Sequence, residues 1–120
     1  MIAAVIVIPI MVAGLLAVFG LLAMTFNAIL RHEHSRYRQQ WEADGRPHGF
    51  LCFPEGSHGF GSWLAFQRCA FTWTFSTPGW ARSDEEVLGR LRSLRWLVGV
   101  WNVGCVVLFV TMFLVLRPVA

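Results

Sequence analysis

The sequence predicts an all-α membrane protein: two transmembrane helices in a hairpin, with cytoplasmic helical extensions and a small aromatic-rich interfacial segment. Residues 2–30 and residues 96–116 contain no charged side chain, and nine of the ten basic residues, all arginines, lie between these runs. A helix needs about 20 apolar residues to cross a bilayer core of about 30 Å, so each run is long enough. Because hydrocarbon cannot satisfy a backbone amide, spanning segments of this kind must be helical.

The composition separates this chain from ordinary soluble enzymes. Its 120 residues leave room for one domain. It is 56% hydrophobic and 14% charged, whereas soluble proteins average about 25% charged residues. The net charge of +3 is explained by membrane topology and by attraction to anionic lipids, without a nucleic-acid partner.

The first predicted span occupies residues 1–30. A secretory signal would place basic residues before a shorter apolar stretch, whereas here Arg31 follows a long one, so we expect a retained anchor. The run exceeds the thickness of the bilayer core. Either residues 1–8 lie in the outer interface and the crossing helix starts near Pro9, which we prefer, or the helix tilts and kinks at Pro9.

The arginines predict the orientation, because basic residues close to the ends of a span resist translocation. Six of them flank the spans on the loop side: Arg31, Arg36, Arg38, Arg90, Arg92 and Arg95. Arg117 alone lies beyond the second span. We therefore expect a protein of the bacterial inner membrane, with both termini periplasmic and the central loop cytoplasmic.

Small residues predict how the two spans pack. Ala13, Ala17 and Gly20 follow helical spacing on the first span, and Gly99, Asn102 and Val106 do so on the second. Small residues let helix backbones approach closely in lipid. Asn27 could also bond to Asn102 across the seam. A partner protein could equally use these faces.

The region between the spans divides into three pieces. Residues 31–46 contain good helix formers and should extend the first helix until Gly45 and Pro47. Residues 47–82 are rich in aromatic residues. Within them, residues 62–70 resemble a short helix, whereas residues 71–75 alternate with period two, so helix and extended chain both remain open.

The aromatic piece is too short to cross a membrane. We expect it to lie at the inner interface, where aromatic rings are favoured, or to dock another subunit. Its contact residues would be Trp63, Phe66, Phe71 and Trp73.

The third piece, residues 83–95, is predicted to be an amphipathic helix. Ser83 and Glu86 form a capping box, and apolar residues then recur at helical spacing, so the helix should run unbroken into the second span, residues 96–117. Its arginines Arg90, Arg92 and Arg95 are predicted to contact anionic lipid or a partner.

Residues that could perform chemistry are sparse. The histidines and cysteines of the loop match no usual zinc spacing; they are His32, His34, His48, Cys52, His58 and Cys69. The spans contain no histidine for a haem and no charge for an ion pathway. We therefore predict no catalytic residue, no metal and no cofactor.

The order of several short motifs resembles the universal stress protein B family. These motifs are Ser57-His58-Gly59 after an aromatic pair, Gln67-Arg68 beside aromatics, and Asp84-Glu85 leading an arginine-rich helix into a C-terminal span. The spacings between the motifs differ from that family, and its lysines are absent here. The resemblance implies a small two-span protein of the bacterial inner membrane linked to stationary-phase stress tolerance, without catalysis or cofactor.

Two functions follow as hypotheses. In the first, the chain is a non-catalytic accessory or structural subunit of a larger inner-membrane complex, bound through its small-residue faces and aromatic segment. In the second, it is a free-standing homo-oligomeric stress-response protein that acts at the inner leaflet through its arginines and aromatic rings.

Overall fold

The computed structural model describes residues 2–118, and every regular element in that range is helical, which confirms the all-α class. The elements are α1 (Ile2–Arg36), α2 (Arg38–Ala43), α3 (Gly59–Phe75), a 3-10 turn (Gly79–Ala81) and α4 (Glu85–Leu116). The molecule is elongated, with extents of 60 × 31 × 19 Å. Its long dimension exceeds the total thickness of a bilayer, which is about 40–45 Å including headgroups.

The apolar stretches of α1 and α4 are largely exposed, although the two helices pack on each other along one side. The most apolar 18 residues of each helix have mean hydropathies of 2.9 and 2.3, and none of either window is buried. A core helix of a soluble protein would instead be mostly buried. By length and composition, α1 and α4 are therefore two helices that could span a membrane.

α1 does not begin near Pro9, in contrast to the preferred prediction. It is helical from Ile2 and continues through Pro9 to Arg36. Proline removes one intrahelical hydrogen bond, but in an apolar stretch the other backbone groups find partners only within the helix. The 35 residues of α1 measure about 53 Å at 1.5 Å per residue, so in a bilayer the helix would have to tilt or extend beyond it.

α1 and α4 lie side by side in opposite directions. Val7 and Thr111 line the same shallow groove at one end of the pair, and His32 bonds to Asp84 at the other end. We call the C-terminal end of α1 and the N-terminal end of α4 their inner ends. These two ends therefore lie at the same level, next to the arginines of α4.

The contact between α1 and α4 uses other faces than the small-residue faces predicted. The partly or fully covered side chains that follow helical spacing include Ala4, Ile8, Met11, Leu15, Val18 and Leu22 on α1, and Leu97, Trp101, Gly104, Leu108 and Thr111 on α4. Gly104 lies against Leu15, whose Cδ2 would be 2.5 Å from a Cβ at position 104. Bulky residues fitted against one glycine bury more area than facing small residues would. The predicted faces, Ala13, Ala17 and Gly20 on α1 and Gly99 and Asn102 on α4, point outward.

The predicted extension of α1 is helical but broken once. Tyr37 leaves the helical conformation, with φ −128° and ψ 51°, and separates α1 from α2. The Tyr37 hydroxyl donates a hydrogen bond to Asp84, and this tertiary contact is absent from any local sequence pattern. α2 ends at Ala43, just before Gly45, whose φ of 94° suits glycine.

The aromatic segment that sequence left open between helix and extended chain is the helix α3. His58 is its N-cap, and the Ser62 hydroxyl accepts a hydrogen bond from the His58 amide. The period-two alternation over residues 71–75 also fits a helix, since Phe71 and Phe75 are one turn apart and share the outward face while Trp73 points inward.

The core lies where α3 meets the inner ends of α1 and α4. Phe26 of α1 is its centre, with ring centroids 5.3 Å from Phe66 and 5.0 Å from Trp73. Leu91 and Leu94 complete this cluster from α4. Because both α3 rings contact one α1 residue near the end of its apolar run, α3 lies at the level where that run meets the charged residues.

Candidate functional site

The inner ends of α1 and α4 are joined by a hydrogen-bonded group of three side chains. His32 Nε2 lies 2.7 Å from Asp84 Oδ2, and the Tyr37 hydroxyl donates to the same oxygen at 2.9 Å. The His32 side chain is 8% exposed and that of Asp84 17%. The three side chains therefore link α1, the break after it and the beginning of α4.

Asp84 is also the N-cap of α4, one residue later than the predicted Ser83. Its Oδ1 accepts from the Val87 amide at 3.4 Å, and α4 begins at Glu85. The bond with His32 is the main cause that lowers the pKa of Asp84, with Tyr37 and the Val87 amide adding to it against the opposing effect of burial. Conversely, the bond to Asp84 raises the pKa of Tyr37. The carboxylate thus has two roles, capping a helix and fixing the α1–α4 junction.

Glu33 is fully buried next to this junction. Burial is the main cause that raises the pKa of Glu33 to about 9, and the neighbouring Asp44 raises it further. Neither carboxyl oxygen has a hydrogen-bond partner among the described residues. Two carboxylates cannot bond to each other, but a protonated Glu33 can donate to Asp44. At neutral pH Glu33 is therefore expected to keep its proton.

The thiol of Cys69 lies close to the same carboxyl groups. Burial is the main cause that raises the pKa of Cys69 to about 12, and the charges of Asp44 and Glu33 add to it, against a smaller opposite effect of Arg68. A thiol with so high a pKa carries almost no thiolate at neutral pH and is a poor nucleophile. Cys69 is buried in the core together with Phe66 and Trp73.

One group of potential metal ligands occurs within residues 2–118, formed by His32, Asp84 and Glu86, whose donor atoms lie within 4.8 Å of one another. Each donor is already engaged: His32 and Asp84 bond to each other, and Glu86 forms a 3.1 Å ion pair with Arg90. The arrangement serves as a structural link between helices. Among the histidines and cysteines considered from sequence, His32 alone belongs to it.

α3 has apolar side chains on two opposite faces. Phe66 and Trp73, predicted as contact residues, are 8% and 2% exposed and belong to the core, so they offer no docking surface. The other two, Trp63 and Phe71, are exposed. The outward face consists of Phe60, Trp63, Leu64, Phe71 and Phe75. We call it the outer α3 face.

The three arginines predicted to contact lipid or a partner differ in their surroundings. Arg90 donates to the Ala28 carbonyl and pairs with Glu86. Arg95 donates to the Trp73 carbonyl and to Thr77 Oγ1, both at 3.1 Å. Arg92 is exposed. Arg90 and Arg95 therefore stabilise the fold through these bonds as well as carrying charge.

The two asparagines predicted to bond across the helices do not meet. Asn27 bonds both backbone groups of Phe50, accepting from its amide and donating to its carbonyl, each at 2.8 Å. Asn102 donates to Val98 in its own helix. Gly49 is needed at this contact because a Cβ there would collide with Asn27 Oδ1. Asn27 thus holds the loop around Phe50 against α1. The spacing of residues in the sequence did not predict this contact.

Comparisons of this chain with known protein families, with curated proteins and with solved structures found no match in any of the three. The resemblance to the universal stress protein B family therefore stays a prediction. The class that the fold itself defines is an all-helical protein with two helices long and apolar enough to span a membrane.

Proposed function

We propose that this chain is a two-span protein of the bacterial inner membrane that acts as a non-catalytic accessory subunit of a larger membrane complex. The observation that carries the proposal is the uncovered apolar surface of α1 and α4, which includes Ile10, Leu16 and Phe109 at 65%, 64% and 72% exposure. Such surface is stable only against lipid or another apolar protein surface.

The distribution of charge supports an orientation with both termini periplasmic. The arginines at the junction of α1 and α4 lie at the same end of the molecule as α2 and α3, and the apolar stretches lead away from them. Basic residues next to spans favour the cytoplasmic side. This end of the molecule would therefore face the cytoplasm.

The outer α3 face supports a position of α3 in the plane of the inner interface. Phe60, Phe71 and Phe75 are 70%, 68% and 73% exposed, on a helix at the level where the apolar stretch of α1 ends. Exposed Trp96 begins the charge-free stretch of α4. Aromatic rings at this depth are typical of the headgroup boundary.

The outward small-residue face of α1 is the best candidate for the subunit contact. Ala13, Ala17 and Gly20 are exposed, and no atom lies within 4 Å of a Cβ placed on Gly20. Another transmembrane helix can approach such a face closely, and close packing is what drives helix association in lipid.

Native purification in mild detergent tests this function. We expect the tagged chain to migrate with a complex much larger than its own 13.6 kDa, and Ala13→Leu with Ala17→Leu to release it because leucines block close approach. Ala3→Leu makes the same exchange on α1 away from the small residues and should leave the complex intact.

Two results would contradict the proposal. Equal migration of all variants would reject the α1 face as the dock. Migration as a small multiple of the chain alone, without another protein, would instead favour the homo-oligomeric stress-response alternative, which uses the same membrane placement.

A further inference from the structure

One face of α4 carries two open grooves that meet at Arg95. The groove nearer the start of α4 has a volume of about 610 Å³ and is lined by Glu85, Leu88, Arg92 and Arg95. The other measures about 530 Å³ and is lined by Arg95, Trp96, Gly99, Val100, Val103 and Gly104. A polar groove with two arginines therefore continues directly into an apolar one.

Arg95 is held in position at the point where the grooves meet. Its Nε donates to the Trp73 carbonyl and its Nη2 to Thr77 Oγ1. A guanidinium has five N–H groups, so these two bonds leave three for an anion. Arg92 lies three residues earlier, a rise of about 4.5 Å along the helix, with its side chain exposed. Arg92 and Arg95 thus both line the polar groove near the end of the apolar stretch.

The apolar groove is open and long enough for a hydrocarbon chain. No atom lies within 4 Å of a Cβ placed on Gly99, and Trp96 and Val103 are 73% and 64% exposed. From Arg95 to Gly104 the helix rises about 13.5 Å. An extended acyl chain can lie along this length with its polar end at the arginines.

We propose that this face of α4 is a binding site for an anionic phospholipid of the inner leaflet. Its phosphate is bound by Arg92 and Arg95, and one acyl chain lies along the groove from Trp96 to Gly104. Charge complementarity selects lipid over a neighbouring helix, because a helix entering from the bilayer would bring no anion to the two arginines. The inference rests on the membrane placement of the proposed function.

The neighbouring charges restrict where the phosphate is bound. Glu85 lines the far part of the polar groove, ten residues before Arg95, or about 15 Å along the axis. Its carboxylate repels anions from that end. Arg90 is engaged with Glu86 and Ala28, so it is excluded from the site although the sequence grouped it with the other two.

Native mass spectrometry of the purified chain tests the site. The protein is exchanged into detergent with equal amounts of phosphatidylglycerol and phosphatidylcholine, and the retained lipid is counted. We expect preferential retention of phosphatidylglycerol, about fivefold weaker in Arg92→Gln and strongly reduced in Gly99→Leu, which fills the apolar groove. Inorganic phosphate at the same concentration should not compete, since it lacks the acyl chain.

Matched variants separate a site from general attraction. Arg82→Gln removes an exposed arginine outside the grooves, and Gly14→Leu adds the same bulk on α1, where no atom lies within 4 Å of a Cβ. Both should retain lipid as the wild type does. Equal losses in Arg82→Gln and Arg92→Gln, equal retention of the two lipids, or an unaffected Gly99→Leu would each overturn the proposal.

The outcome is separate from that of the accessory-subunit test. Lipid retention is measured on the purified chain, whereas the subunit contact is measured on the native complex with substitutions on α1. A phospholipid site can therefore hold even if no larger complex is found, and a complex can hold without the site. Extraction of the chain from cells without detergent would overturn both.

Discussion

Asp84 and Glu33 have opposite protonation behaviour, although both lie at the end of the molecule that carries α2 and α3. Asp84 accepts hydrogen bonds from His32 and Tyr37, which lower its pKa. Glu33 is buried beside Asp44, and its pKa rises to about 9. Residue type alone predicts similar behaviour for Glu33 and Asp84. Burial and partners determine the difference, and both depend on the tertiary fold.

Glu33→Gln should remove a pH dependence of stability. The pKa of Glu33 is higher in the folded state than in the unfolded state, so its contribution to stability is complete below pH of about 4.5 and is lost as pH rises towards about 9. The free energy of unfolding should fall by up to about 1.4 kcal/mol per pH unit in this window. Glutamine fills nearly the same volume and does not ionise.

Thermal unfolding in detergent, followed by tryptophan fluorescence from pH 5 to 8.5, measures this effect. The variant should match the wild type near pH 5 and become progressively more stable than it towards pH 8.5. Glu42→Gln, at an exposed position of α2, is the matched control and should follow the wild type. Parallel curves for Glu33→Gln and the wild type would contradict protonation of Glu33. Asp84 acts in the opposite sense, since its lowered pKa gives stability that is lost only in acid.

At the scale of elements, the sequence predicted the helices whose indicating pattern lies within the helix itself. The absence of charge over residues 2–30 and 96–116 indicated both long helices, and the capping box of Ser83 and Glu86 located the start of α4 to within one residue. The exact cap could not be predicted, because the bonds of Asp84 to His32 and Tyr37 join parts of the chain about 50 residues apart. The face of α1 that packs on α4 could not be predicted from the sequence either. An apolar helix has no polar face that would distinguish its exposed side from its packed side.

Gly104→Leu should weaken the packing of α1 on α4. A Cβ at position 104 would lie 2.5 Å from Leu15 Cδ2, so the longer leucine side chain requires the helices to separate or Leu15 to change rotamer. Overpacking of this kind costs typically 1–3 kcal/mol. Thermal unfolding in detergent should show the loss.

Two variants make the packing prediction specific. Gly99→Leu introduces the same side chain on the same helix, where a Cβ meets no atom within 4 Å, and should cost little. Leu15→Ala combined with Gly104→Leu should recover part of the loss, because the colliding side chain is removed. Equal stability of the two glycine variants would show that α1 does not pack on α4 through Gly104.

On the scale of the whole molecule, polar and apolar parts are segregated along its 60 Å length. One end carries the junction of α1 and α4 with α2, α3 and nine of the ten arginines, and the remainder is two uncovered apolar helices. The surface of the molecule carries the small outward residues of α1, the outer α3 face and the α4 grooves. This surface is the basis of the proposed interaction with lipid or with other membrane subunits.

The orientation proposed for the whole molecule can be tested by cysteine labelling. Arg82 and Arg117 are both exposed and lie beyond opposite ends of the apolar part of α4, so Arg82→Cys and Arg117→Cys report the two sides of the membrane in the full-length chain. The native cysteines Cys52, Cys69 and Cys105 are first replaced by alanine. A membrane-impermeant maleimide added to intact cells, with the outer membrane permeabilised, should label position 117. It should label position 82 only after the inner membrane is also opened, because the flanking arginines resist translocation.

Reporter fusions after residues 56 and 120 provide a second readout and should report cytoplasm and periplasm respectively. The reverse pattern would overturn the orientation, and labelling of both positions in intact cells would overturn the two-span arrangement itself.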